Sequence, residues 1–235
     1  MEERTKNMAL YAISDLHLSL STNKSMEVFP GWENYVERIK TNWLNKITTE
    51  DTVVLAGDSS WGISLEQSLE DFKYINSLPG RKILLKGNHD FWWTTKNKMD
   101  IFFAENGLNT LNILNNNHYA YNDYAICGTR GWINETEEPA DKKVLLREAG
   151  RLEASIKSAL KENLRPIVFL HYPPLYANDY NYEILDVLHK YNIEECFYGH
   201  IHGKSSGYAI QGDRDGISYS LISSDILQFE AKLIK

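Results

Sequence analysis

A chain of 235 residues with 43% hydrophobic and 24% charged side chains has the length and apolar content for one folded domain with a sizeable core, and is neither disordered nor fibrous. Its 25 Lys and Arg against 32 Asp and Glu leave a formal charge of -7, so there is no general basic field for a nucleic acid or an anionic membrane. Cys127 and Cys196 form no C-x-x-C pair or disulfide framework, and the apolar stretch from Met8 is cut off by Asp15, too short for a secretory or membrane segment; a single domain over residues 1–235 in a reducing, cytoplasmic setting is expected.

Short apolar runs alternate with helical patterns along the chain. Residues 8–13 read as a buried strand. Trp32, Val36, Ile39, Trp43, Leu44 and Ile47 then recur at three- and four-residue steps, the period of an amphipathic helix. Residues 52–56 are the next strand, Leu65, Leu69, Phe72 and Ile75 the next helical stripe, and residues 82–85 a third strand. Pro139 in an acidic first turn opens a helix through Leu145, Ala149, Leu152, Ile156 and Leu160 that stops at residues 163–166. Residues 167–170 and 196–198 are two more buried strands. From Gly207 onward apolar residues alternate in twos around a turn at residues 212–216, which predicts an antiparallel finish. No internal repeat or Gly/Pro/Ser-rich linker interrupts this α/β pattern.

The residues just past each strand carry the chemistry, because ligands of open α/β sheets collect outside the carboxyl ends of the strands. The first strand ends in Asp15-Leu16-His17, a carboxylate and an imidazole that extended backbone points to one side. The others end in Gly57-Asp58, in Gly87-Asn88-His89-Asp90, in His171, and in Gly199-His200-Ile201-His202. Any one of these is ordinary turn chemistry. Together they bring His17, His89, His171, His200 and His202, five of the seven histidines, to strand ends with three aspartates, and so many groups that are costly to desolvate argue for a site. Carboxylate, imidazole and amide donors without cysteine suit manganese, iron, zinc or cobalt better than calcium.

In that order, D-x-H, G-D, G-N-H-D, a lone H and G-H-x-H resemble the calcineurin-like metallophosphoesterase superfamily, from about residue 10 to residue 203. The resemblance implies an α/β four-layer sandwich, two packed mixed β-sheets flanked by helices. It also implies that Asp15, His17, Asp58 and His202 hold one divalent ion and that Asp58, Asn88, His171 and His200 hold a second, with Asp58 shared. Two such ions share a water, supply hydroxide at neutral pH and clamp phosphoryl oxygens. His89 would then be the general acid that protonates the leaving oxygen. The family often has a second acid three positions after the shared aspartate, where it orients this histidine; here that position is Trp61, so the partner of His89 is unassigned and the protein Ser/Thr phosphatase branch is disfavoured.

The expected function is hydrolysis of a small phosphate monoester or diester by a dimetal-bound hydroxide, with a cyclic-nucleotide-type phosphodiesterase as a close variant. A non-catalytic scaffold on the same fold is the alternative from another class, disfavoured because every matched ligand position is intact. No nucleic-acid or membrane partner is expected. Arg130 is a candidate to fork onto a substrate phosphate, and Trp92, with Trp61, Trp93 and Trp132, a candidate to floor a substrate pocket. Tyr172, Tyr176, Tyr180 and Tyr182 are candidates for the same role, whereas His118 and His189 read as structural.

Overall fold

The computed structural model describes residues 8–132 and 139–235. The residues before Met8, and the acidic ones just ahead of Pro139, lie outside this range. The first half of the chain runs β1 (Leu10–Ile13), α1 (Tyr35–Lys46), β2 (Thr52–Leu55), α2 (Leu69–Ser77), β3 (Arg81–Leu84), α3 (Lys96–Glu105) and β4 (Leu111–Ile113). The second continues through β5 (Tyr119–Tyr121), β6 (Tyr124–Thr129), α4 (Pro139–Leu160), β7 (Arg165–Leu170), the short pair β8 (Leu175–Tyr176) and β9 (Asp179–Tyr180), and α5 (Tyr182–Lys190). It ends with β10 (Glu195–Tyr198), β11 (Gly212–Arg214), β12 (Ile217–Leu221) and β13 (Lys232–Leu233).

Two mixed sheets result, in the orders β13-β1-β2-β3-β4 and β11-β12-β10-β7-β6-β5. Each is parallel at its centre and antiparallel at one or both edges. The parallel strands are buried on both faces, which is why they read as unbroken apolar runs rather than alternating ones. Successive side chains still take opposite faces. Val54, Ala56, Ile83 and Leu85 meet Ile167, Phe169, Phe197 and Ile222 between the sheets. Val53, Leu55 and Leu84 turn outward onto Ile39, Trp43, Phe72 and Met99 of the first helical layer. Val168, Leu170, Cys196 and Tyr198 do the same against Leu152, Ile156, Ile184 and Leu188 of α4 and α5. The layers are therefore helix, sheet, sheet, helix, the expected sandwich.

Four sequence expectations need correction. Trp32 is buried but precedes α1, Leu65 precedes α2, and Leu44 faces out, 56% exposed, one position round from the buried Tyr35, Ile39 and Trp43 stripe. The antiparallel finish holds for the β11 and β12 hairpin, whose Asp215 and Gly216 both take positive φ as a tight primed turn requires. However, β12 runs parallel to β10, and β13 crosses to pair with β1 in the other sheet. Alternation in twos fixes which face a residue takes, not the direction of the neighbouring strand. Both cysteines are free and buried, and among the described residues no helix is long and apolar enough to cross a membrane.

Candidate metal centre

The parallel strands of both sheets end on one edge of the sandwich. There β1, β2 and β3 deliver Asp15, His17, Asp58 and Asn88, while β7 and β10 deliver His171, His200 and His202. The turns are tight, and Asp15 and His17 are brought together by left-handed backbone past the end of β1, not by the extended backbone that their spacing suggested. Asp15, His17, Asp58 and His200 have φ of 60°, 46°, 53° and 71°, a left-handed region that non-glycine residues enter rarely and at a cost. Backbone bonds between adjacent turns hold them there: Asp15 N–H donates to Gly57 O at 2.9 Å and His17 N–H to Asp58 O at 2.9 Å. Close approach also dictates two glycines, since a Cβ on Gly87 would collide with the Asp58 carboxylate, and one on Gly199 with the Ser14 hydroxyl and the Asp15 carboxylate.

Asp58 lies between the two sets of histidines. Its Oδ2 is 3.8 Å from His17 Nε2 and 3.5 Å from His171 Nε2, while Oδ1 accepts from the His89 backbone N–H at 2.8 Å. On one side, Asp15 Oδ1 is 3.9 Å from His17 Nε2 and 3.2 Å from His202 Nε2. On the other, Asn88 Oδ1 faces His171 Nε2 at 2.7 Å and His200 Nδ1 at 2.8 Å. The rings are aimed by bonds on their other nitrogens: His171 Nδ1 lies 3.1 Å from Ala56 O, and His202 Nδ1 lies 2.8 Å from Asp225 Oδ1. Such bonds fix the tautomer and leave Nε2 free to act as a ligand.

The electrostatics are those of a site that is short of positive charge. Burial, and then the Asp90 and Asp15 charges, push the Asp58 carboxyl up to about 9. Burial pushes His17 and His171 down to about 3 and holds both neutral, the form in which imidazole binds a metal. Burial works against His202 as well, but Asp15 and Asp225 raise it to about 10. Asp15, His17 and His202 form one group whose ligand atoms all lie within 4.8 Å of one another, and Asp15, Asp58 and His171 form a second. Oxygen and nitrogen donors without sulfur, around a carboxylate that burial disfavours as an anion, fit hard or borderline divalent cations.

His89 is half-buried at the rim, its ring 4.5 Å from Trp61 and 6.2 Å from Phe91. Trp61 also stacks on His17 at 4.9 Å, so the position where an acid was absent from the sequence holds the indole that packs both rings. Among the described residues nothing hydrogen-bonds the His89 ring. On this side, Trp61, Lys24, Met26, Phe29 and Val36 line a groove of about 750 Å³.

One functional residue, Asp225, and the role of another, Asp90, escape the sequence reading. Asp225 follows β12 and aims His202; the strand-end rule applied to Ser223-Ser224-Asp225 would have found it. Asp90 does not touch the His89 ring. It is fully buried and accepts from the backbone N–H groups of Gly87, Asp58 and Ser59 at 2.7, 2.8 and 2.9 Å and from Trp92 Nε1 at 2.9 Å. That bond explains Trp92, which is 2% exposed and packs on Phe72; it lies in the core and cannot floor a pocket. Asp90→Ala strands several buried donors, each costing about 1–3 kcal/mol, so a loss of at least about 3 kcal/mol in chemical denaturation is expected. An unchanged midpoint would refute this role.

The remaining candidates divide. The Tyr172 ring lies 4.3 Å from that of His200, whereas Tyr176 pairs with Tyr208, and Tyr180 stacks on the 67%-exposed Tyr182. His118 Nδ1 lies 2.8 Å from Ser158 Oγ, and His189 is in the last turn of α5. Arg130 follows β6, next along the sheet from β7 and His171.

A family model described as calcineurin-like phosphoesterase matches residues 8–204. Comparison with curated proteins finds no significant sequence match. Among solved structures, the chain is similar to a protein of unknown function from Aquifex aeolicus, at 18% identity and a TM-score of 0.53, covering 97% of this chain and 96% of that one. It is also similar to a phosphopantetheinyl hydrolase from Mycobacterium tuberculosis, at 14% identity and a TM-score of 0.57, with the same coverage of 97% and 96%. At these identities the likeness is one of fold.

Proposed function

The chain belongs to the calcineurin-like phosphoesterase family, and from that premise we propose that it is a phosphohydrolase of small phosphate esters that works with two divalent ions, of manganese, iron, zinc or cobalt. Asp15, His17, Asp58 and His202 would hold one ion, and Asp58, Asn88, His171 and His200 the other. The observation that carries the reading is Asp58, whose Oδ2 faces His17 at 3.8 Å and His171 at 3.5 Å, one histidine of each proposed donor set. When bound, two such ions acidify water and neutralise phosphoryl charge.

The protein's own groups do the rest. Asp225 and Ala56 keep His202 and His171 turned inward, and Asp90 holds the Asp58 and Asn88 turns together. His89 is the proposed proton donor. Its ring lies 4.5 Å from that of Trp61, which lines the groove together with Lys24, so the leaving alcohol would depart along that side. Packing rather than a carboxylate orients its ring, which leaves its proton to come from solvent.

Chelator-stripped protein is expected to turn over neither p-nitrophenyl phosphate nor its bis ester, and to turn over at least one after refilling with Mn²⁺. The preferred ester assigns monoesterase or diesterase activity. Two bound ions by elemental analysis with no hydrolysis of either ester would overturn the reading in favour of a scaffold.

A further inference from the structure

The edge that carries the metal donors does not stop at them. In the second sheet the strands run β10, β7, β6, and their ends present His200, His171 and then Arg130; in the first, β2 and β3 are followed by β4. At that next position lies a cavity of about 450 Å³ lined by Lys86, Lys96, Arg130 and Arg151, together with Thr129 and Glu148. Lys86 is two residues before Asn88, and Arg130 O accepts from the backbone N–H of His171 at 3.2 Å and of Tyr172 at 2.9 Å, so the cavity adjoins the centre through backbone they share.

Four cations around one cavity are unexpected in a chain of net charge -7. Glu148, fully buried, answers only part of them. Its oxygens accept from Thr129 Oγ1 and Arg151 Nη1, both at 2.6 Å, while Arg130 Nη2 stays 3.8 Å away. Lys96 pairs with Asp100 at 2.6 Å. Among the described residues Lys86 has no hydrogen bond or ion pair, and Arg130 Nε is buried without a partner. The Arg130 guanidinium carbon lies over the Trp132 ring, 4.4 Å from its centroid, and α3 begins at the same cavity with Thr95 and Lys96. A planar fork, an ammonium and a helix N-terminus around one space are the donors that a phosphoryl group takes up.

We propose that this cavity is a second anion subsite of the same active centre, taking a phosphate or similar oxyanion carried elsewhere on the substrate, so that the preferred substrates bear two anionic groups. The proposal rests on the reading of the metal centre as a phosphoesterase, and it extends that reading from small phosphate esters in general to doubly charged ones.

The test has two arms. In the first, pyrophosphate is titrated calorimetrically into metal-free protein, where the ions cannot contribute. Saturable binding is expected, weakened at least tenfold in Lys86→Gln and, should that variant misfold by circular dichroism, in Arg151→Gln. No binding, or binding indifferent to both substitutions, overturns the subsite. In the second, Mn²⁺-loaded enzyme is given propyl, pentyl and heptyl phosphate and the α,ω-bisphosphates of the matching diols, each of which leaves as a primary alcohol of the same chain length. At least one bisphosphate is expected to exceed its monoester tenfold in kcat/KM, and Lys86→Gln to remove that advantage while leaving the monoesters unchanged. Equal rates for all pairs, or a preference that survives the substitution, overturns the substrate assignment. Hydrolysis of none of them, with pyrophosphate still bound in a Lys86-dependent way, supports the anion site and refutes the phosphoesterase reading instead.

Discussion

Asp58→Asn is expected to release both ions together and to lower kcat/KM by at least about 10³-fold, roughly 4 kcal/mol of transition-state stabilisation. The substitution preserves shape and the oxygen that accepts from His89 N–H at 2.8 Å, but it places an uncharged amide between His17 and His171. Elemental analysis after dialysis checks the first part; loss of one ion alone would count against a shared carboxylate. A second signature separates loss of charge from misfolding. The wild-type carboxyl is raised to about 9, so in metal-free protein its contribution to stability is present below about 4, the unfolded value, and is lost as pH rises towards 9. Asparagine does not ionise. Metal-free Asp58→Asn should therefore melt at or above the wild-type temperature at pH 8, with a difference that shrinks towards pH 4. A variant less stable than wild type at pH 8 would contradict this account.

His89→Ala is expected to keep both ions and lose at least about 10²-fold in kcat, within the range of general acid catalysis. Ion content should hold because residue 89 reaches Asp58 through its backbone N–H, which alanine retains. Stability should change little, since the ring is half-buried at the rim and packs only on aromatic neighbours. The choice of ester makes the test specific. A p-nitrophenolate leaves without a proton, whereas an alkoxide does not, so the loss should be much larger for an alkyl phosphate than for p-nitrophenyl phosphate. Equal losses on both would assign His89 to positioning instead.

Much of this site was legible because the fold puts its polar groups where apolar runs end. Residues such as Ala12, Val54 and Ile83 are buried on parallel strands, so their hydrophobicity is continuous and its abrupt end at Asp15, Asp58 and Asn88 is conspicuous. What stayed hidden depends on distance in space. Asp90 reads as a neighbour of His89, yet its partners include Asp58, 32 positions earlier. Asp225 meets His202 only because β12 lies beside β10. Trp92 shares the residue type and strand-end setting of Trp61, and only tertiary packing sends one into the core and the other against His17. The left-handed backbone at four site residues has no marker either, because aspartate and histidine, unlike glycine, do not advertise it.

The division of the donors between the sheets has a consequence for how the molecule holds together. Asp15, His17, Asp58 and Asn88 belong to one sheet and His171, His200 and His202 to the other, and the two are joined face to face largely by apolar contact at residues such as Ile83 and Phe169. Ions captured there would act as rivets through the sandwich, linking positions nearly the whole chain apart. Only the fully closed molecule offers the complete set, so free metal at a hundred times its dissociation constant would add about 2.7 kcal/mol per site against unfolding. Loss of the cations would make opening of the sheets easier, and a chelator would lower the melting temperature of a protein that still folds without them.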